Sequence, residues 1–359
     1  MREKESSRGA APAYLRLYER LRQEIIDGSR PYGGRMPSKR QLAEEEGLSV
    51  VTVEHAYALL CDEGYLESRE RSGHYVLFRE TDGFVPAAGT VRPPASHTGE
   101  RGAFPFSVMA RTMRRVLSEY GEALLERCPH PGCAELRLAI ARYLGRSRGI
   151  RVSPEQIWIG AGAEYLYGLI VQALGRERLY AAEDPSYAKI AQVYRSHGAA
   201  CELLPLGPDG IRSDALAATE ASVLHITPYR SFPSDITASA AKRREYIRWA
   251  ASPGRTIVED DFASEFTTSS KPEETVFSLS ERGNVIYMNT FSLTVASSLR
   301  LGYLVLPEEL LPLFTERVGF YACTVPVFEQ VVLAEFIESG DYERHIRRVR
   351  RSLRRETGR

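Results

Sequence analysis

Two rhythms of apolar residues run along this chain. From Tyr14 to Ile26 apolar side chains recur at Leu17, Leu21 and Ile25, the spacing of one helix face, and Gly28 follows as a stop signal. In MPSKRQLAEEEGLSVVTVEHAYALLCDEGYL, Ser38 is placed to cap a helix running through Leu42 and Ala43. Gly47 breaks that helix, and Ser49 caps a second one that carries Val53, Ala56, Tyr57 and Leu60 inward. Two short helices around a glycine turn predict a helix-turn-helix, and YLESRERSGHYVLF reads as two strands about a turn near Arg71–Gly73, a wing. Residues 79–103, rich in Pro, Gly, Ala and Ser without a hydrophobic period, read as a tether. Beyond it helical stretches alternate with the apolar runs QIWIG, ERLYAAE, ASVLHIT, RTIVED, NVIYMN and LGYLVLP. That alternation predicts an α/β domain with a mainly parallel sheet covered on both faces, whose sites collect at the strands' carboxyl ends.

Composition sets bounds on this picture. At 359 residues the length favours two domains, and 43% apolar with 26% charged residues allows a sizeable core. The formal net charge is +0, so a nucleic-acid partner has to be argued locally. No apolar run approaches the ~20 residues that span a bilayer, and MREKESSRGAAPAY lacks a signal peptide's apolar core, so a cytoplasmic location is expected. Five cysteines read as reduced thiols and not as a disulfide framework. CPHPGC, with His130 between Cys128 and Cys133, offers neither a fourth zinc ligand nor a second close pair. It reads as a turn made by Pro131 and Gly132.

Ser49, Thr52 and His55, at the start and on the exposed face of the second short helix, are small enough to let its N-terminus enter a major groove. Lys39, Arg40, Arg69 and Arg71 would flank it as phosphate contacts, although Glu44, Glu45 and Glu46 roughly balance the local charge. A small helical subdomain without nucleic acid is the alternative. The run from Met36 to Val76 resembles the winged helix-turn-helix of GntR-type bacterial regulators, over nearly all of residues 14–77. The family's P-S-x-R signature is here Pro37, Ser38, Lys39 and Arg40, and its wing glycine is Gly73. Val50 departs from the pattern, standing where many members have an arginine. The resemblance implies a double-stranded DNA operator as partner.

GAGAEYLYGL, EDPSY, VEDDFASEF and FSLTVASSLRLGY follow in an order and spacing similar to the fold-type-I aminotransferase-like domain of MocR-type regulators. The implied organisation is a winged helix-turn-helix over 1–78, a linker over 79–103 and an aminotransferase-like domain over 104–359, incomplete at its C-terminus with the small domain missing. The implied cofactor is pyridoxal 5′-phosphate, which demands an anion cradle, a ring stack, an acid at the pyridine nitrogen and a lysine. The resemblance gives the cradle to Gly162, Ala163 and Glu164 at a helix start and to Arg300, the stack to Tyr187 and the acid to Asp260. Singly, each has a structural alternative: core for Tyr187, a surface ion pair for Arg300, a cap for Asp260.

The rest of the constellation is altered. Leu293 stands at the lysine position, Phe262 replaces a hydroxyl donor, Ala163 replaces a hydroxyl, and in TPYRSFPSD the family's histidine-glutamine pair and glycine are Arg230, Ser231 and Asp235. Lys189, two residues past Tyr187, is the one substitute amine to test. Without an amine neither the covalent anchor nor the catalytic base exists, so no transamination is expected and no catalytic residue is assigned. Any cofactor is held non-covalently or has been lost. The arginine-rich YERHIRRVRRSLRRETGR reads as a solvated or interdomain helix. The expected function is a DNA-binding transcriptional regulator whose second domain dimerises and senses a small anionic effector. A working aminotransferase with an unrecognised amine, or a decayed regulator, are the alternatives.

Overall fold

The computed structural model describes residues 12–69, 72–78, 104–266, 274–281 and 283–357. The chain separates into two compact units, Met1–Ser96 and His97–Arg359. In the first, α1 (Ala13–Ile26), α2 (Lys39–Glu46) and α3 (Val50–Asp62) precede a hairpin of β1 (Leu66–Arg69) and β2 (Gly73–Val76). The hydroxyls of Ser38 and Ser49 cap α2 and α3, accepting from the backbone N–H of Gln41 at 3.2 Å and Thr52 at 3.1 Å. Leu17, Leu21 and Ile25 meet Leu42, Val53, Tyr57 and Leu60 in one core, with Leu66 and Val76 supplied by the hairpin. The buried Tyr57 donates to the Pro37 carbonyl at 2.9 Å, tying α3 to the loop that opens α2.

The second unit is an eight-stranded α/β sheet. Its elements in order are α4 (Phe106–Tyr120), α5 (Ala134–Ser147), β3 (Ile157–Gly160), α6 (Ala163–Leu174), β4 (Leu179–Asp184), α7 (Lys189–Ser196), β5 (Ala200–Gly207), β6 (Gly210–Ile211) and α8 (Ser213–Ala218). They continue as β7 (Val223–Ile226), α9 (Ala240–Ala250), β8 (Thr256–Asp260), α10 (Val276–Leu279), β9 (Val285–Thr290), β10 (Gly302–Val305), α11 (Leu311–Val318), α12 (Val327–Glu338) and α13 (Asp341–Thr357). The strand order is β3-β10-β9-β8-β7-β4-β5-β6. The stretch from β9 to β5 is parallel, whereas β10 runs antiparallel to both β3 and β9, and β6 antiparallel to β5.

The six apolar runs became β3, β4, β7, β8, β9 and β10. The two-residue period of a strand sends alternate side chains to opposite faces. Ile157 and Ile159 join Tyr303 and Val305 under α5 and α12, while Trp158 joins Met288 and Leu304 under α6 and α11. Both faces are covered, which is why these strands read as continuous apolar runs. β5 and β6 escaped the sequence reading because CELLPLG mixes exposed Leu203 with buried Cys201 and Leu204 at the sheet's margin.

The basic C-terminal helix is only half solvated. Tyr342 and His345 of α13 are buried, bonding the hydroxyl and the carbonyl of Thr294 at 3.1 and 2.9 Å. That face of the helix fixes the segment bearing Leu293, while Arg347 on the other face is 72% exposed.

Candidate functional site

The first turn of α3 presents a small, partly apolar surface. Val50 and Val51 are exposed, His55 is exposed with Tyr14 edge-on at 5.7 Å, and the Thr52 hydroxyl lies 2.8 Å from that of Ser49. Of the expected phosphate contacts, Arg40 is exposed, Lys39 bonds Glu54 at 2.5 Å, and Arg69 bonds Glu67 at 2.8 Å while stacking over Tyr75. Such exposed pairs contribute about 0–1 kcal/mol and give way easily to a phosphate. Gly73 opens β2, and Arg71 lies outside the described residues. Arg35, which the sequence reading passed over, packs near Gly73 and bridges to Tyr75, so it adds a cation beside the wing.

In the second unit a cavity of about 230 Å³ lies at the carboxyl ends of the central strands. The start of α6, the loop after β4, the end of β8 and the loop after β9 bring Ala163, Glu164, Tyr187, Asp260 and Arg300 to its wall. Gly162, immediately before α6, holds φ +86°, and a Cβ there would come within 3.1 Å of the Arg300 guanidinium. The positive φ favours glycine at this position, and a side chain would crowd the Arg300 guanidinium. Tyr187 is exposed at 37%, with Phe232 across from it at 6.5 Å in an edge contact, and Phe262 adds a third aromatic wall.

Asp260 closes one end. Its Oδ2 accepts from the Tyr167 hydroxyl at 2.7 Å and lies 3.6 Å from His225 Nε2. The other ring nitrogen of His225 is 2.6 Å from the Tyr194 hydroxyl. Burial, and then the neighbouring carboxylate, hold the Tyr167 phenol well above its ordinary pKa, so it stays a donor. Asp260 Oδ1 is buried with no hydrogen-bond partner among the described residues. Tyr167 and His225 were missed from sequence because they sit within the apolar runs of α6 and β7, although a lone histidine in VLHIT was the available signal.

The opposite end carries charge of both signs. Glu164 bonds Arg300 at 2.8 Å through Oε2 and Lys189 through Oε1. The Lys189 bond, ahead of that to Arg300, holds the Glu164 carboxyl below its usual value and raises the amine.

Leu293 is not on this wall. It lines an adjoining groove of about 740 Å³ that shares Phe232 and Phe262 with the cavity. None of the cavity's lining residues is a lysine. Lys242 is buried against the Ile211 carbonyl at 2.7 Å, Lys39 belongs to the first unit, and Lys4 and Lys271 lie outside the described residues. Arg230 and Asp235 are the non-glycine residues with left-handed backbone among those described, at φ 52° and 57°, and their side chains pair at 2.7 Å. Asp235 thus holds a backbone turn that favours glycine, at some cost in strain.

Beneath the Arg230–Asp235 loop, Glu183 is fully buried, accepting from Thr227 N–H and Ser231 Oγ–H, and burial pushes its carboxyl up to about 7. Among the described residues no group of side chains is arranged to hold a metal ion, and no helix is long and apolar enough to cross a membrane.

Winged unit and α/β cavity together define a class: a DNA-reading domain joined to an aminotransferase fold. Residues 13–76 match the gntR family of bacterial regulatory proteins, and residues 100–356 match aminotransferase class I and II. The chain is 32% identical to the HTH-type transcriptional regulator YdeL of Bacillus subtilis, over 96% of this chain and 77% of that one. It is 30% identical to the "probable rhizopine catabolism regulatory protein MocR" of Rhizobium meliloti, over 95% and 74%. Kynurenine aminotransferase from Pyrococcus horikoshii superposes with a TM-score of 0.64 at 25% identity, covering 70% of this chain and 65% of that one. The chain thus spans just under two thirds of that solved aminotransferase. It belongs to the MocR-type GntR regulators, HTH-type transcriptional regulators with an aminotransferase class I and II domain, a fold whose enzymes use pyridoxal phosphate.

Proposed function

We propose that this chain is a DNA-binding regulator whose aminotransferase-like unit carries out no transamination and instead reads a small ligand held non-covalently. The observation that carries this reading is the placement of Leu293, a hydrocarbon lining the groove beside a cavity with no lysine among its wall residues. Leu293 can neither anchor a carbonyl nor relay a proton, and the Lys189 amine beside the cavity is already bonded to Glu164.

The cavity is a partial fit to pyridoxal phosphate. At the ring end, the unpartnered buried Oδ1 of Asp260 suits a protonated pyridine nitrogen, with Tyr187 beside it to stack. At the other end the fit is poorer: Glu164 pairs with the Arg300 charge that would meet a phosphate, and Ala163 offers no hydroxyl. Glu164 therefore competes with a phosphate ester for Arg300.

Ser38, Lys39, Arg40, Arg69, Arg71 and Gly73 would place the winged unit on the phosphates, with Ser49, Thr52 and His55 leading α3 into the groove. The exposed methyls of Val50 and Val51 suit thymine C5-methyl groups. A second copy of the chain would pair two such readers. In support, α4 carries an exposed stripe of Phe106, Met113 and Leu117 beside its buried stripe of Met109, Thr112 and Val116.

Footprinting of the full chain on the DNA upstream of its own gene, at stated salt, tests the regulator; absence of a protected site would refute it. Incubation with pyridoxal phosphate, borohydride reduction and intact-mass measurement tests the lack of covalent chemistry. A mass gain of one cofactor, above all on Lys189, would support an enzyme instead.

A further inference from the structure

Three of the five cysteines, distant in sequence, meet beside β3. Cys128 and Cys133 bracket the turn before α5, with their sulfurs 3.5 Å apart. Cys323, from the loop before α12, joins them through Gln330, whose side-chain nitrogen lies 3.3 Å from the Cys128 sulfur and 3.5 Å from that of Cys323. Gln330 is fully buried, and its carbonyl oxygen accepts from the Cys133 backbone N–H at 2.8 Å. The turn reading of CPHPGC therefore stands, but the turn is also one side of a three-thiol cluster.

Polarity is built into the cluster. The Cys133 sulfur lies 3.5 Å from that of Cys128, the Gln330 amide donates to the Cys128 sulfur at 3.3 Å, and Cys323 and Arg137 stand nearby. They lower the Cys128 thiol's pKa far below its ordinary value and raise those of the other two. Cys61 and Cys201 have no such setting, and burial raises both. Cys128 is half-buried, reachable by a small oxidant, while Cys133 is buried behind it.

We propose that Cys128, Cys133 and Cys323 form a hydroperoxide-responsive thiol site, in which Cys128 is oxidised first and Cys133 closes a reversible disulfide with it. The Cys128 thiolate attacks the outer oxygen of a hydroperoxide; the O–O bond breaks, the alcohol or water leaves, and Cys128 becomes a sulfenic acid. The Cys133 sulfur then attacks that of Cys128. An S–S bond forms, the S–O bond breaks, and hydroxide leaves with the Cys133 proton as water. Two thiols and one hydroperoxide thus give one disulfide, one alcohol and one water.

Closing the bridge brings the sulfurs from 3.5 Å to about 2.05 Å. It also takes the Cys128 sulfur from Gln330. The turn grips β3 through Ile159 N–H to the Pro131 carbonyl at 2.9 Å, and the Cys323 loop grips the same strand end through Ala161 N–H to Thr324 at 3.2 Å. The movement therefore acts on the strand that leads to Gly162 and the cavity. Gly132, at φ +103° with Ile159 2.5 Å from where a Cβ would stand, holds the turn flush against that strand.

The test is thiol-resolved mass spectrometry on the full-length reduced protein. Iodoacetamide at about pH 6 is expected to label Cys128 at least about tenfold faster than Cys61 or Cys201, because the thiolate is the nucleophile. Stoichiometric hydrogen peroxide, followed by non-reducing digestion, is expected to give a peptide bridged between Cys128 and Cys133 that dithiothreitol reverses. In Cys133→Ser, dimedone should trap the sulfenic acid at Cys128, or a bridge to Cys323 should replace the first. Labelling of Cys128 no faster than Cys61, or oxidation that leaves Cys128 reduced, would overturn the proposal. So would stoichiometric zinc in the wild-type protein, displaced by thiol-specific mercurial titration. The wild-type measurements need no variant to fold.

Discussion

Glu164→Gln tests how charge is arranged in the cavity. The carboxylate holds Arg300 at 2.8 Å and also bonds Lys189, with side-chain exposures of 32%, 52% and 51%. Two unit charges ~4 Å apart interact by ~1 kcal/mol in bulk water and ~4 kcal/mol at the effective dielectric of a protein surface. These exposures place the group toward the water limit, and each pair alone contributes at most about 1 kcal/mol. Glutamine keeps the shape, removes one negative charge and frees two cations. A phosphate ester carries about −1.5 to −2 at neutral pH, so the net gain for it should be about 1–2 kcal/mol. Pyridoxal 5′-phosphate should then bind roughly tenfold more tightly to the variant. Unphosphorylated pyridoxal should bind about equally to both. Isothermal titration calorimetry of the two compounds, at low and high salt, reads the difference, and the gain should shrink as salt rises. Equal gains for both compounds, or no gain for the phosphorylated one, would refute the idea that Glu164 occupies the phosphate end.

Four further outcomes follow from the same structure. The folded Glu183 carboxyl, pushed up to about 7 by burial against 4.5 ordinarily, contributes stability below pH 4.5 that is lost as pH rises through about 7; this is worth about 3 kcal/mol. Glu183→Gln, which keeps an acceptor for Thr227 N–H, should therefore gain melting temperature relative to wild type at pH 8 compared with pH 5, and an identical difference at both would count against it. Arg148→Ala removes the buried partner 2.9 Å from Asp261 and should cost about 3–5 kcal/mol in urea unfolding, much of it restored by adding Asp261→Asn. Ser49→Ala, removing the α3 cap, should cost the winged unit about 1 kcal/mol in thermal unfolding. Arg40→Ala should weaken DNA binding about equally across sequences and reduce the slope of log affinity against log salt by about 1 in gel-shift titrations.

Sequence alone carried the local rules. Ser38 and Ser49 announce their helices because a cap is a contact between neighbours in the chain, and the four-residue recurrence of Leu17, Leu21 and Ile25 fixes a helix face without knowledge of what it meets. The apolar runs from Ile157 to Val305 mark the strands for the same reason. The identity at position 293 is likewise a matter of sequence: a hydrocarbon supplies no amine wherever it lies.

The tertiary structure decided which groups meet, and so what each one's charge does. Glu164 read as part of an anion cradle, yet its contacts with Arg300 and Lys189, 136 and 25 residues away, turn it into the cradle's own counter-ion. Asp260 acquires Tyr167 as a donor and His225, itself held by Tyr194, 3.6 Å away, drawn from two helices and a strand. Cys128 and Cys133 gain a third sulfur from beyond residue 320, and the apparently solvated C-terminal helix proves to clamp Thr294. Patterns of three to seven residues encode backbone conformation because its energetics are local. Electrostatic environment depends on burial and on partners that only chain closure brings within a few ångströms, and no spacing rule along the sequence contains that distance.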